Sequence, residues 1–590
     1  MARRGLSDKT EKPRDIKYVL KRLWKYLMQY KLWLLAAIIL TSAANVCALI
    51  GPNLSGRAID AIHPGGGTDF KAVGFYVILM IIFYILSSAL SYLLSVMMIH
   101  IMRKIVFTMR RDAFNSLASL RVNYFDSNYA GNIISKLSYD IDTVNTSLSS
   151  DLVQIFASAI TIAGAFIMMI LISPMLVTVF IVTIPLSIFV TGFIAKRVHP
   201  LFKKRSAALG DLNGYTEEMI TGQKTIRAYS GEDEIISRFD EKNETACRAF
   251  YNADYYGSMA GPSMGFINNL SLSLISIFGA ILYLFGNISI GSISSFVLYS
   301  RKFAGPINEV ANIINELQSA CAAAERVFKL IDEEKENAYD VIDKNAAINN
   351  TDVSLEHVRF GYVKDKTVIH DLSLEVKEGS LIAITGPTGA GKTTLINLLM
   401  RFYDSDSGSI KIDGVNIKSI DRSDLRKLYA MVLQETWLFN GTVYENIAYA
   451  KPDASKAEVI SAAKAAKIHE FIERLPEGYD TILSENGINI SKGQKQLLTI
   501  ARAMLSDASM LILDEATSNV DTRTEQYISN AMRELMKDKT CFVIAHRLST
   551  IRNADMILVV NNGDISEMGT HDDLMSRRGA YYQMYMSQYR

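Results

Sequence analysis

Gly386-Pro387-Thr388-Gly389-Ala390-Gly391-Lys392-Thr393 is the stretch whose reading decides the fold. Its glycines free backbone N–H groups to converge on phosphate oxygens at the start of a helix, where the helix dipole also favours negative charge. The pattern requires a strand before it and a helix after it. Ser380–Thr385 reads as that strand, and the apolar Thr394–Phe402 as that helix. In this context Lys392 is expected to reach the β- and γ-phosphates of ATP, and the Thr393 hydroxyl to ligate Mg2+. Gly386, Thr388, Gly389, Gly391 and Thr394 complete the candidate nucleotide contacts in this stretch. Downstream, the apolar run Leu511-Ile512-Leu513 ends in Asp514-Glu515. Asp514 is placed to hold Mg2+, through water, and Glu515 to act as base towards an attacking water.

Around this segment the pattern is α/β, with short strands such as Val353–Phe360 alternating with helices. Upstream the chain changes character. Its 590 residues are 49% hydrophobic with a mean hydropathy of +0.14, and the charges are segregated along the chain. Leu32–Gly56, Ala72–Ile99, Leu152–Ala195 and Tyr255–Ser300 contain no Asp, Glu, Lys or Arg. A bilayer crossing takes about 20 apolar residues. The first two runs therefore hold one span each. The last two hold two each, folded at Ser173-Pro174 and near Gly286-Asn287. An all-α domain of six transmembrane helices is expected, since soluble helices would alternate apolar and polar faces.

The flanks orient this domain. Residues 1–31 carry ten Lys/Arg against three Asp/Glu, whereas Arg57–Lys71 carries two of each. Positive flanks stay cytoplasmic, which puts the N-terminus and, after six spans, the phosphate-binding segment inside. Asp15–Tyr30 reads as an amphipathic helix on the inner surface, with Tyr18, Leu20, Leu23, Trp24 and Leu27 on its apolar side. The inner connections His100–Asp151 and Lys196–Asp254 have helical periodicity with charged faces. They read as helices running beyond the membrane and reversing near Tyr124-Phe125-Asp126 and within Tyr215–Tyr229. The expected organisation is an N-terminal segment over 1–31, a membrane domain over 32–332, a linker over 333–350 and an α/β domain over 351–590. Lys/Arg and Asp/Glu nearly cancel at 62 against 61, so charge gives no basis for a nucleic-acid partner. Cys47, Cys247, Cys321 and Cys541 have neither metal nor redox spacing and read as buried, reduced residues.

Between the two phosphate motifs lies Ile490-Ser491-Lys492-Gly493-Gln494. Together the three stretches resemble the nucleotide-binding domain of ABC transporters, and the membrane domain resembles that of ABC exporters with their long intracellular loops and coupling helices. The resemblance implies ATP hydrolysis coupled to transport, with Mg2+ as cofactor. It assigns His546 to the switch histidine that contacts the γ-phosphate. It assigns Gln434 to the glutamine that touches Mg2+ or its water, Tyr362 to the ring that stacks on adenine, and Asp521 to the loop joining two ATP sites. Stacking accepts either purine, so GTP stays open.

In the same family Ser491, Gly493 and Gln494 belong to a signature that caps ATP bound to an opposite subunit. The family writes it Leu-Ser-Gly-Gly-Gln, so Lys492 stands where a glycine is expected and adds a side chain and a charge. Heterodimeric ABC exporters pair one chain that keeps the catalytic glutamate but has a degenerate signature with a partner of the reverse pattern. Glu515 with Lys492 fits the first chain. The resemblance thus implies a second half-transporter as partner, with a homodimeric lipid or drug flippase as the alternative.

Export of amphipathic small molecules (drugs, lipids or peptides) across a bacterial inner membrane is the expected activity. Import of a siderophore or metal chelate is the alternative direction, and ATP gating without pumping is a third reading. Arg301-Lys302 lie about 16 Å into the last span at 1.5 Å per residue. Either they face a cavity for anionic cargo or they snorkel to the inner surface. Gly305-Pro306 just beyond is a candidate break or kink.

Overall fold

The computed structural model describes residues 15–62, 68–336, 348, 350–363, 366–433, 436–483, 490–514, 522–545 and 551–587. It separates into two compact units: Met1–Ser119 with Asn128–Glu333, and Leu120–Ser127 with Glu334–Arg590, each in its described residues.

The first unit is helical. Lys31–Asp60, Phe70–Ala118, Ala130–Ile172, Pro174–Thr221 and Glu232–Leu284 are long and apolar enough to cross a membrane. Among the described residues that makes five such helices, where the sequence suggested six. The remaining long helix, Ile290–Ile331, runs through Pro306 without ending there, and Arg301 and Lys302 interrupt its apolar part. The expected reversals are present. Ser173 is extended and Pro174 opens the next helix, a position where its missing N–H costs nothing. The reversal before Ile290 uses Gly286 at φ +75°.

Polar groups inside a bilayer need partners within the protein. The helix Ile290–Ile331 supplies some for Lys31–Asp60: Tyr299 Oη donates to the Leu49 carbonyl at 2.6 Å and Ser295 Oγ to the Pro52 carbonyl at 2.8 Å. Near their ends the two backbones touch. A Cβ on Gly291 would sit 2.0 Å from the Gly56 carbonyl oxygen, so only a residue without a side chain fits. Asp60 accepts the Gly291 N–H at 2.8 Å and the Ser289 hydroxyl at 2.7 Å.

The N-terminal helix forms over Ile16–Met28, with its first turn capped by the Asp15 side chain. The expected apolar residues divide between two faces. Val19, Leu23, Tyr26 and Leu27 are buried, while Tyr18, Leu20 and Trp24 are exposed. Two apolar stripes run along this helix, and periodicity alone does not choose between them. The choice is made by polar contacts: Tyr26 Oη donates to Asp112 at 2.8 Å, and Arg22 pairs with Asp332. The cysteines also depart from uniform burial: Cys321 and Cys541 are buried, Cys47 is partly so, and Cys247 is exposed.

The second unit is built on two sheets. Strands β1 (Val353–Phe360), β2 (Ile369–Val376), β4 (Ser407–Ile412) and β5 (Val415–Asn416) form an antiparallel sheet in the order β2-β1-β4-β5. With β3 (Leu381–Thr385), β6 (Tyr429–Val432), β9 (Met510–Asp514), β10 (Thr540–Ile544), β11 (Met556–Asn561) and β12 (Asp564–Gly569), the larger sheet runs β12-β11-β3-β10-β9-β6. Neighbours from β11 to β6 are parallel, and β12 is antiparallel. β7 (Gly441–Thr442) and β8 (Ile482–Leu483) pair separately. The parallel strands are buried on both faces, which is why they read as continuous apolar runs.

The short helix Val122–Ser127, at the expected first tip, belongs to this second unit. Leu120 bridges to Lys335, Arg121 pairs with Glu334 at 3.2 Å, and Tyr403 Oη donates to the Asp126 carboxylate.

Below the phosphate-loop helix, Asp404 receives Arg401 Nε at 2.9 Å and Arg422 at 2.8 Å, both guanidiniums being buried. Burial opposes ionisation of Asp404, but the two arginines together hold its carboxyl below the usual range. Asp404→Ala would strip two buried cations of a shared anion. Because Asp404 keeps some solvent contact, the expected loss is about 2 kcal/mol, below that of a fully buried pair. A lowered urea midpoint of the unfolding transition checks it; an unchanged midpoint contradicts it.

Candidate nucleotide site

Four of the candidate motifs follow the C-terminal ends of parallel strands. β3 leads into the phosphate loop, β9 ends at Asp514, β10 runs towards His546 and β6 towards Gln434. In the sheet these four strands are neighbours in the order β3-β10-β9-β6. Their ends are level, with Ile544 beside both Ile384 and Asp514, and Val432 beside Leu513. Ligand crevices in such sheets form outside these carboxyl ends. Glu515, His546, Gln434 and Asp521 themselves lie outside the described residues.

The phosphate loop needs its glycines for two different reasons. Gly386, Gly389 and Gly391 have φ of +145°, +82° and +107°, values that favour glycine. At Gly386 there is also no room, because a Cβ would lie 2.1 Å from the Val560 carbonyl oxygen. Gly391 caps the helix Lys392–Leu399, whose first turn faces the loop. Thr388, Gly389 and Thr393 are exposed at the rim, whereas Lys392 and Thr394 are buried.

Lys392 Nζ donates to the carbonyls of Gly386 at 2.7 Å and Pro387 at 2.9 Å. The ammonium is thus folded back across the loop it is expected to serve. Burial pushes it down from the usual lysine range, partly offset by Asp514 across the crevice. A triphosphate there would restore the missing negative charge. Thr393 and Asp514 are the described oxygen donors for Mg2+, which typically takes one or two protein ligands along with phosphates and water. This donor set fits the ion.

Tyr362 stands beside the loop, its ring edge-on to Phe360 at 4.9 Å and to Tyr403 at 5.0 Å. Its hydroxyl donates to Thr394 Oγ1 at 3.2 Å and accepts from Asn397 at 3.1 Å. The Thr394 hydroxyl is thus linked to the tyrosine expected to stack on the base. Asn397 and Tyr403 were missed by sequence reasoning. Asn397 shares a helix face with Thr394 three residues away; Tyr403 carries no local signal.

Ser491 and Gln494 form a capping box at the start of the helix Lys492–Leu505: Ser491 Oγ accepts the Gln494 N–H at 3.3 Å, and Gln494 Oε1 accepts the Ser491 N–H at 2.9 Å. Ser491 and Lys492 are exposed and Gly493 is buried. Arg502, also missed, anchors this helix by donating to the Asn446 carbonyl at 2.8 Å and the Trp437 carbonyl at 3.2 Å. Burial lowers its guanidinium from the usual range, with Tyr449 opposing.

Gly386→Ala tests the loop geometry. The strained φ and the clash with Val560 are expected to weaken ATP binding by about tenfold or more. Titration with a fluorescent ATP analogue reads this directly, and unchanged affinity would contradict it.

The fold is shared with known proteins. Residues 34–307 match the family described as ABC transporter transmembrane region and residues 369–518 the family described as ABC transporter. The chain is 42% identical over 581 residues to the ABC transporter ATP-binding protein YfiC of Bacillus subtilis, covering 98% of this chain and 96% of that one. It is 43% identical over 525 residues to a fatty acid ABC transporter ATP-binding/permease protein of Mycobacterium tuberculosis, covering 89% and 83% of the two chains. An ATP-dependent lipid A-core flippase of Mannheimia succiniciproducens is 35% identical, with 96% and 97% covered. Among solved structures, a bacterial Atm1-family ABC exporter with ATP bound superposes with a TM-score of 0.76 at 28% identity, covering 97% of this chain and 99% of that one. The chain belongs to the ABC transporter family, as an exporter-type protein that joins a membrane-spanning region to a cytoplasmic ATPase domain and couples ATP hydrolysis to transport.

Proposed function

We propose that the chain is one half of a heterodimeric exporter of amphipathic small molecules in a bacterial inner membrane, and that it contributes the hydrolytic residues of the competent ATP site. The observation carrying the ATP-site part of this reading is the level, adjacent set of strand ends from β3 to β6, each followed by one motif; the unequal pairing rests on Lys492 in the signature beside an intact Glu515. In this reading Tyr362 stacks on the base, and Lys392 leaves its loop carbonyls for the β- and γ-phosphates. The N–H groups of Gly389 and Gly391 hold phosphate oxygens. Glu515 accepts a proton from the water attacking the γ-phosphorus, and His546 contacts the departing phosphate. Thr393, Asp514 and Gln434 would hold Mg2+, which supplies charge neutralisation there. Asp521 faces the second site. Ser491, Gly493 and Gln494 cap the partner's nucleotide.

The same reading divides the chain into 1–31, 32–332, 333–350 and 351–590. It also counts Ile290–Ile331 as a sixth span, supported by the Gly56–Gly291 contact and the hydrogen bonds from Tyr299 and Ser295. The family relatives include fatty acid, lipid A-core and multidrug transporters, which favours a lipid-like cargo. Arg301 is exposed, and among the described residues neither it nor Lys302 pairs with a carboxylate, as a site for an acidic head would require. The lipid A-core flippases also favour a second reading, a homodimeric lipid flippase.

The two assemblies separate by mutation. Glu515→Gln is expected to lower ATP turnover of the complex by about 100-fold or more, while Lys492→Gly leaves it within a few fold. Equal, large losses from both changes would argue against the asymmetric pair. Direction is read by ATP-driven accumulation of a fluorescent fatty acid in inside-out vesicles. Accumulation is expected; uptake of a metal chelate into whole cells without it would favour import.

A further inference from the structure

The helix Ile16–Met28 has three sides. The first, Val19, Leu23, Tyr26 and Leu27, is buried in its unit. It is fastened there by Tyr26 to Asp112 and by Arg22, which pairs with Asp332 and lies 4.8 Å over the Phe328 ring. The second side repeats at four-residue spacing: Ile16, Leu20, Trp24 and Met28 are 47%, 46%, 58% and 41% exposed. The third is Lys17, Lys21 and Lys25, at the same spacing and one position further on, all exposed. Among the described residues none of these lysines pairs with a carboxylate. Arg22, which faces Asp332, is the basic residue of this helix that does.

The apolar side does not stop at Met28. Leu32, Trp33, Leu35 and Ile39 of the following membrane helix are exposed as well. An apolar stripe bordered by lysines suits one solvent geometry, the boundary between acyl chains and headgroups. There the lysine stems lie along the apolar surface and the ammonium groups reach the phosphates.

We propose that this helix is a binding site for anionic phospholipid headgroups, with Ile16, Leu20, Trp24 and Met28 in the acyl boundary and Lys17, Lys21 and Lys25 on the phosphates. Neutral zwitterionic lipid satisfies the apolar side equally well but gives no net attraction to the lysines. Through Arg22 and Asp332 the site is tied to the end of the helix Ile290–Ile331, so lipid charge bears on the position of that helix end.

The test uses the full-length transporter in vesicles of phosphatidylcholine with a minority of phosphatidylglycerol. Overall composition is fixed, and bromine is carried either on the phosphatidylglycerol or on an equal amount of the phosphatidylcholine. Quenching of Trp24 is obtained by subtracting the Trp24→Phe protein. Brominated phosphatidylglycerol is expected to quench several-fold more per lipid, and high salt to shrink the difference. Replacing Lys17, Lys21 and Lys25 together by glutamine is expected to abolish the preference, and replacing all three by arginine to keep it. Equal quenching by the two lipids, or a preference untouched by the glutamine variant, overturns the proposal. Absence of quenching by either lipid also overturns it, because a protein surface would then cover this side.

Discussion

Phosphate charge has to be met by backbone N–H groups, and that requirement organises the ATPase unit. The N–H groups converge only because Gly386, Gly389 and Gly391 adopt φ values that other residues resist. The loop in turn is held by β3, between β10 and β11, and by Val560, whose carbonyl leaves no space beside Gly386. With β9 and β6 ending at the same level, Asp514 is brought to the crevice of a loop more than a hundred residues earlier in sequence. The field of Asp514 on Lys392 is the electrostatic trace of that convergence.

The start of the helix Lys492–Leu505 shows a different balance. Lysine in a first helical turn works against the helix dipole, by roughly 0.3–1 kcal/mol. The capping box from Ser491 and Gln494 offsets this, at about 1 kcal/mol. The helix therefore begins at Lys492 with Ser491 as its cap, and the lysine does not displace its start. The charge stands exposed next to Ser491, and Gly493 beneath it stays buried. In the proposed reading a cation there alters phosphate capping by bulk and charge, while Arg502 anchors the helix from its other end.

Much of this was legible in the sequence because it rests on local chemistry. Val353–Phe360 was read as a strand to the residue, and the reversals at Ser173-Pro174 and Gly286 follow from backbone preferences of proline and glycine. What escaped depends on contacts between distant segments. The buried face of Ile16–Met28 is chosen by Asp112 and Asp332, far away in the chain. Tyr362 meets Thr394 and Asn397 from beyond the end of β1, and Tyr403 reaches Asp126 across more than two hundred residues. Apolar runs located the membrane helices, but Arg301 and Lys302 left the last one outside the five that length and composition identify among the described residues.

The central claim is that this chain houses the hydrolytic ATP site and relies on another chain's signature to close it. Vanadate trapping of photoreactive radiolabelled ATP in the assembled transporter tests this most directly. The account predicts one trapped nucleotide per pair of chains, crosslinked to this chain. Two trapped nucleotides per pair, or label confined to the other chain, would contradict it.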